Sequence, residues 1–224
     1  TSTSPRAWRR SHRPGGTWRN GVAGAETGLR KPGGPAERGT FMRGGLAAAF
    51  AGQACGKEQT EDFFDIASPA AADLQARGLA FALADGMSGG RGRRAAETCV
   101  RTVLSDYYAT PPAWDIARSL DRVMASVNGW LLAHNMCAAD SECMLSTLSV
   151  LVLQGSRCHV GHVGDSRIYR LRDAQCEPLT TDHVWPRADM RRVLRRAVGL
   201  DHHLVVDCFS HAVHARDRHV HAND

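Results

Sequence analysis

The residues of this 224-residue chain that could do chemistry are carboxylates and histidines set in short polar interruptions of apolar sequence. In RDRHVHAND, residues 216–224, His219 and His221 stand one residue apart and Asp224 follows three later. Alternate residues share a face of a strand, so His-x-His is a known zinc-ligand spacing. A zinc hydrolase would want its next acid two beyond the second histidine, where Asn223 stands instead. Asp85 ends the apolar run GLAFALA, residues 78–84, and Gly86 follows it, which suits a buried strand delivering a carboxylate to a loop. Asp165, in GDSR, reads most simply as a turn-former bonding its own loop backbone. Glu61 and Asp62 would by themselves be surface charges. At GQACGKE, Gly52 and Gly56 enclose three residues where a phosphate-binding P-loop needs four, and Glu58 takes the place of its Ser/Thr. That reading fails.

Elements must hold these groups in place. From Ala95 the positions Ala96, Cys99, Val100, Val103, Leu104 and Tyr107 recur at three and four residues, as one face of a helix requires. Trp114, Ala117, Leu120, Val123, Met124, Val127, Trp130 and Leu131 repeat the spacing in a second helix, with Thr110 as its expected cap ahead of two prolines. The stretch TLSVLVLQGSRCHVGHVGDSRIYRLRDAQCEPL is β-rich. Its breaks at Gln154-Gly155, Gly164-Asp165 and Asp173-Ala174 predict three antiparallel strands in a meander. A strand, two consecutive helices and a meander make an α+β protein, not an alternating βαβ sheet.

The net charge of +5 is concentrated at one end. Residues 1–40 hold eight Lys/Arg against two Glu, a charge of +6, which leaves −1 for the rest. That Gly/Pro/Arg-rich segment has no apolar periodicity and is expected to be a disordered tail, so the basic balance gives no reason to expect nucleic acid as a partner. Seven cysteines without a CxxC pair fit a reducing cytoplasm. LAAAFAGQAC, from Leu46, is too short to span a bilayer, and no membrane segment is expected. The sequence starts at Thr1 and not Met, and is read either as a fragment or as including translated sequence upstream of a start such as Met42.

KEQTEDFFD, ALADGMSGG, and HVGDSRIYRL followed by LTTDH occur in one order, and together they resemble the metal-dependent (PPM, type 2C) protein serine/threonine phosphatases. Asp106-Tyr107-Tyr108, Ala113-Trp114 and Asn128-x-Trp130-Leu131 further resemble the phosphatase module of bacterial bifunctional kinase/phosphatases. The resemblance implies a four-layer α-β-β-α sandwich of two antiparallel sheets over residues 46–224, incomplete at its C-terminal end. It implies hydrolysis of phosphoserine and phosphothreonine on proteins by a dinuclear Mn²⁺ or Mg²⁺ centre that activates a bridging water. Phosphoprotein substrates and a cognate Ser/Thr kinase, or a kinase domain in the same chain, are the expected partners.

The same resemblance assigns residues. Asp62 and Asp85 would serve the metals with the Gly86 carbonyl, Asp62 orienting metal-bound water with Glu61 beside it, and Asp165 would help hold a third, weaker metal. Lys57 takes the place of the arginine that binds substrate phosphate, keeping the charge but losing the bidentate fork. Asp224 falls at the metal-binding Asp of a strand-ending Asp-Gly, with the final metal Asp beyond it, and His219 and His221 then replace apolar strand residues rather than acting as ligands. Met87 stands where some relatives have a proton-donating histidine, and Thr60 replaces an asparagine. A phosphatase-like module that binds phosphoproteins without turnover is the non-enzymatic alternative.

Overall fold

A computed structural model describes residues 36–43, 46–53, 60–67, 69–87, 91–138, 142–186 and 193–223. Two compact units divide the chain, one including Arg38–Ala51 and the other Gly52–Asp224. Strands β1 (Ala36–Arg43) and β2 (Leu46–Gln53) pair in a two-stranded sheet of their own. Residues 36–40, expected to be part of a structureless tail, therefore belong to a strand, because pairing with the apolar β2 satisfies their backbone groups. The rest of that tail lies outside the described residues.

The second unit is built on a five-stranded antiparallel sheet in the order β3-β4-β5-β6-β9, formed by Asp62–Ile66, Leu79–Asp85, Leu148–Gln154, Arg157–Val163 and Asp207–Ala212. Helices α2 (Gly92–Ala109) and α3 (Ile116–Asn135) cover one face, after a short α1 (Ala71–Arg77). The alternation of the strands decides what each face meets. Ala80, Ala82, Ala84, Leu148, Val150 and Val152 point at the helices and form the main core with Val100, Leu120, Met124 and Leu131. Gly161 lets α3 approach β6: a Cβ there would stand 3.2 Å from Met124 Sδ. Leu151, Cys158 and Val160 point the other way and pack with Ile168 in a smaller core.

Ile168 belongs to a second antiparallel sheet, β10-β7-β8, made of Arg218–Ala222, Arg167–Arg172 and Gln175–Pro178. This corrects the expected meander. β5 and β6 pair, but at Gly164, with φ +117°, the chain leaves for the second sheet, and β9 takes the place beside β6. The architecture is α+β with two antiparallel sheets; among the described residues the helices lie on the five-stranded sheet.

Both long helices form where the spacing predicts, with altered ends. Asp115, not Thr110, caps α3, its Oδ1 accepting from the Arg118 N–H at 2.7 Å. Thr110 instead ends α2, where its hydroxyl donates to the Tyr107 carbonyl and accepts from buried Arg77. The Arg77 guanidinium also donates to the Tyr107 carbonyl at 3.1 Å and Ser119 Oγ at 2.9 Å, so one cation gathers α1, α2 and α3. Trp130, expected on the core face, is 39% exposed and stacks on His134. No described helix is long and apolar enough to cross a membrane.

Candidate active site

Asp62 opens β3 and Asp85 closes β4, and the antiparallel register sets them directly opposite each other. Both face the second sheet, since their neighbours Phe63 and Ala84 face the helices. Partial burial, the facing Asp62 carboxyl and the nearby charge of Asp165 push the Asp85 carboxyl up to about 7, against a lowering contact from Asn223. Two acids at this distance repel when both are ionised, and a cation between them removes the repulsion. An all-oxygen set of this kind suits hard divalent ions such as Mn²⁺ and Mg²⁺, so the residues present fit the metals the resemblance implies.

A directed chain of hydrogen bonds holds the pair. The Asp85 N–H donates to Thr147 Oγ1 at 2.9 Å, which leaves the Thr147 hydroxyl to donate to Ser166 Oγ at 2.8 Å. Ser166 donates to Asn223 Oδ1 at 3.0 Å, and Asn223 Nδ2 donates to Asp62 Oδ1 at 2.7 Å. The Asp85 carbonyl accepts from the Thr147 N–H at 2.9 Å and from Ser146 Oγ at 2.8 Å. Every hydrogen has one direction along this path, and the path links the ends of strands from both sheets.

The other expected residues are placed as follows. Asp165 lies in the turn between β6 and β7, close enough to act on Asp85. The Glu61 carbonyl accepts from the Gly86 N–H at 3.2 Å. Gly86 is needed for packing as well: a Cβ there would fall 1.9 Å from the Gly92 carbonyl oxygen at the start of α2. Met87 is exposed. Lys57 and Asp224 lie outside the described residues. Arg167 grips Asp182 through two nitrogens, Nε to Oδ1 at 2.9 Å and Nη2 to Oδ2 at 2.6 Å. His183 Nδ1 accepts from the Gly164 N–H at 3.1 Å, so its Nε2 carries the hydrogen donated to Asp207 at 2.9 Å. Burial opposes the Asp207 charge, but hydrogen bonds from His183 and Arg196 hold its carboxyl below the usual range.

Sequence reasoning passed over Asn223, Ser166, Thr147 and Arg93. Arg93 Nη1 donates to the Thr60 and Asp62 carbonyls at 3.0 and 3.2 Å, and with Arg91 and Arg94 it lines a shallow cleft beside Thr60 and Glu61. The run RGRR was the available signal for the cleft. Asn223 stood out in the pattern only as the residue that breaks a zinc spacing.

The profile of the protein phosphatase 2C family matches residues 57–202, well over half of the chain. The chain belongs to this family. The serine/threonine protein phosphatase PstP of Mycobacterium tuberculosis is 34% identical over 104 residues, which cover 46% of this chain and 20% of that protein, so the chain spans about a fifth of this relative. Among solved structures, the S. agalactiae serine/threonine phosphatase has a TM-score of 0.65 at 21% identity, covering 83% of this chain and 77% of that chain. The catalytic domain of PstP in complex with 2 manganese ions has a TM-score of 0.57 at 23% identity, with 83% and 74% covered. These two likenesses are of fold. They agree with the two-sheet architecture described above.

Proposed function

We propose that this phosphatase 2C family member removes phosphate from phosphoserine and phosphothreonine on proteins, using Mn²⁺ or Mg²⁺ held at Asp62 and Asp85. The observation that carries this reading is the cross-strand carboxylate pair, with Asp85 raised by Asp62 and Asp165. When bound, two hard cations would supply the charge neutralisation and the activated water that phosphate-ester hydrolysis needs. Asp62 and Asp85 would ligate them with the Gly86 carbonyl and Asp224, and Asp165 would serve a third ion. Asn223 fixes the Asp62 carboxylate by its 2.7 Å bond, and Thr147 with Ser146 fixes the Asp85 backbone. Glu61 adjoins Asp62, where it would orient water.

Arg91, Arg93 and Arg94 line the adjoining cleft together with Glu61 and Glu97, the arginines would meet a phosphorylated segment there, and Lys57 would meet the phosphate itself. Phosphoproteins, and the kinase that phosphorylates them, whether separate or in the same protein, are the partners this reading implies, in a reducing cytoplasm. The test is Mn²⁺-dependent hydrolysis of p-nitrophenyl phosphate and of a phosphothreonine peptide. Asp85→Asn should abolish it at unchanged fold. Turnover that persists in Asp85→Asn contradicts the proposal, and phosphopeptide binding without turnover in a metal-loaded protein that carries the final metal Asp supports a binding module instead.

A further inference from the structure

The inward positions of β10 are His219 and His221, with Asn223 following just past the strand's end, a polar row on a face where Ile168 and Leu151 show an apolar one. Asn223 belongs to the site above. His221 is partly buried, and burial followed by the charge of His219 holds it down at about 4. His219 has different company. Its Nε2 lies 2.9 Å from His211 Nε2, and the two rings tilt at 35° with centroids 5.2 Å apart. His211 is in turn the cross-strand partner of Cys158, so their side chains leave the same face of the five-stranded sheet. The Cys158 thiol and the two imidazole nitrogens all lie within 4.8 Å of one another.

We propose that Cys158, His211 and His219 form a second metal site, distinct from the carboxylate pair in place and chemistry, which takes a borderline-soft divalent ion of the zinc type and bolts β10 to β6 and β9. A tetrahedral zinc ion, with Zn–N about 2.0–2.1 Å and Zn–S about 2.3 Å, keeps its ligand atoms roughly 3.3–3.8 Å apart. To meet that spacing the 2.9 Å His211–His219 separation opens by roughly 0.4 Å, and a pair at the 4.8 Å limit closes by about 1.0–1.5 Å. One thiolate and two imidazoles are a soft, nitrogen-rich set that selects against Mg²⁺ and Mn²⁺, the reverse of the Asp62–Asp85 preference.

Burial lowers both imidazoles below their ordinary range, which leaves them neutral at neutral pH; one of the two hydrogen-bonded Nε2 atoms carries a hydrogen, and that ring moves it to Nδ1 as the ion takes the place between them. Burial also pushes the Cys158 thiol up to about 12, so the ion must displace that proton to solvent as the S–metal bond forms. The arginines that face the pair are themselves matched, Arg170 by Glu177 and Arg172 by Asp217. Both histidines are only half-buried, which leaves an approach for the ion. His219 is two inward positions from Asn223, so the ion would steady the strand that reaches the Asp62 carboxylate.

The test uses the full chain with excess Mg²⁺ to occupy hard-ligand sites, titrated with Co²⁺. One equivalent should produce a thiolate-to-cobalt charge-transfer band, which carboxylate ligation cannot give, and Zn²⁺ should bleach it and raise Tm. Cys158→Ser and His219→Val should each lose the band, while Asp85→Asn keeps it. Valine suits a β10 position and guards against a folding failure, checked by unchanged circular dichroism. Absence of the band, or a band that survives His219→Val in a folded chain, overturns the proposal. Neither outcome depends on phosphatase activity.

Discussion

Asn223 serves both sheets with one amide: its oxygen takes the hydrogen of Ser166 and its nitrogen gives one to Asp62. Partners that orient a ligand in this way typically matter 10–100-fold for metal affinity. Asn223→Ala should therefore weaken Mn²⁺ binding roughly 10–100-fold with little change in Tm, read by calorimetric titration. Ser166→Ala should act in the same direction but less, since it works through Asn223. Equal affinity in all three proteins would show that the hydrogen-bond chain does not position Asp62. The sequence pattern made Asp85 legible because a buried strand ending in Asp-Gly is a local signal. Asn223 was not legible, because its role exists only when strands 161 residues apart meet.

At the scale of elements, the departure of the chain from the five-stranded sheet at Gly164 decides the geometry. A Cβ at this φ of +117° would lie 2.5 Å from Thr147 Cβ, the residue whose hydroxyl holds Asp85. Gly164→Ala should cost about 2 kcal/mol in a urea unfolding series and weaken Mn²⁺ binding as well, coupling strain to site. Arg77 makes a purely structural comparison. It is 6% exposed and donates to groups on α2 and α3, so Arg77→Ala should cost about 2–4 kcal/mol in the same series with Mn²⁺ affinity intact once folded. Helical periodicity made α2 and α3 readable, and alternation made β4, β5 and β6 readable. The switch of β7 to the other sheet was not, since a strand shows the same period whichever neighbour it pairs with. Thr110 misled as a cap because its hydroxyl chemistry suits either helix end, and tertiary contact with Arg77 chose between them.

The larger unit is two sheets packed together over an interface that carries acids at one end and histidines further along. That histidine content ties stability to pH. Burial, then the charge of neighbouring His183, holds His162 down at about 4, below its ordinary 6.5, while Asp207 opposes the shift. Between those values the unfolded chain takes up a proton that the folded chain refuses. The contribution of His162 is complete above pH 6.5 and is lost as pH falls from there through about 4, on the order of 1–3 kcal/mol. Urea midpoints measured across this window should fall with pH, and His162→Asn should flatten the decline. A decline of undiminished slope in that variant would assign the effect elsewhere. The two-sheet fold was expected from the resemblance rather than from spacing alone, and the structure bears it out while moving residues 36–40 into a strand.

The account rests on Asp62 and Asp85 acting as one cation site, and a Mn²⁺ titration of the chain followed by electron paramagnetic resonance tests it most directly. The prediction is saturable Mn²⁺ binding, displaced by Mg²⁺ and lost in Asp85→Asn while the thermal transition of the variant stays cooperative. Mn²⁺ binding of equal strength in Asp85→Asn would contradict it.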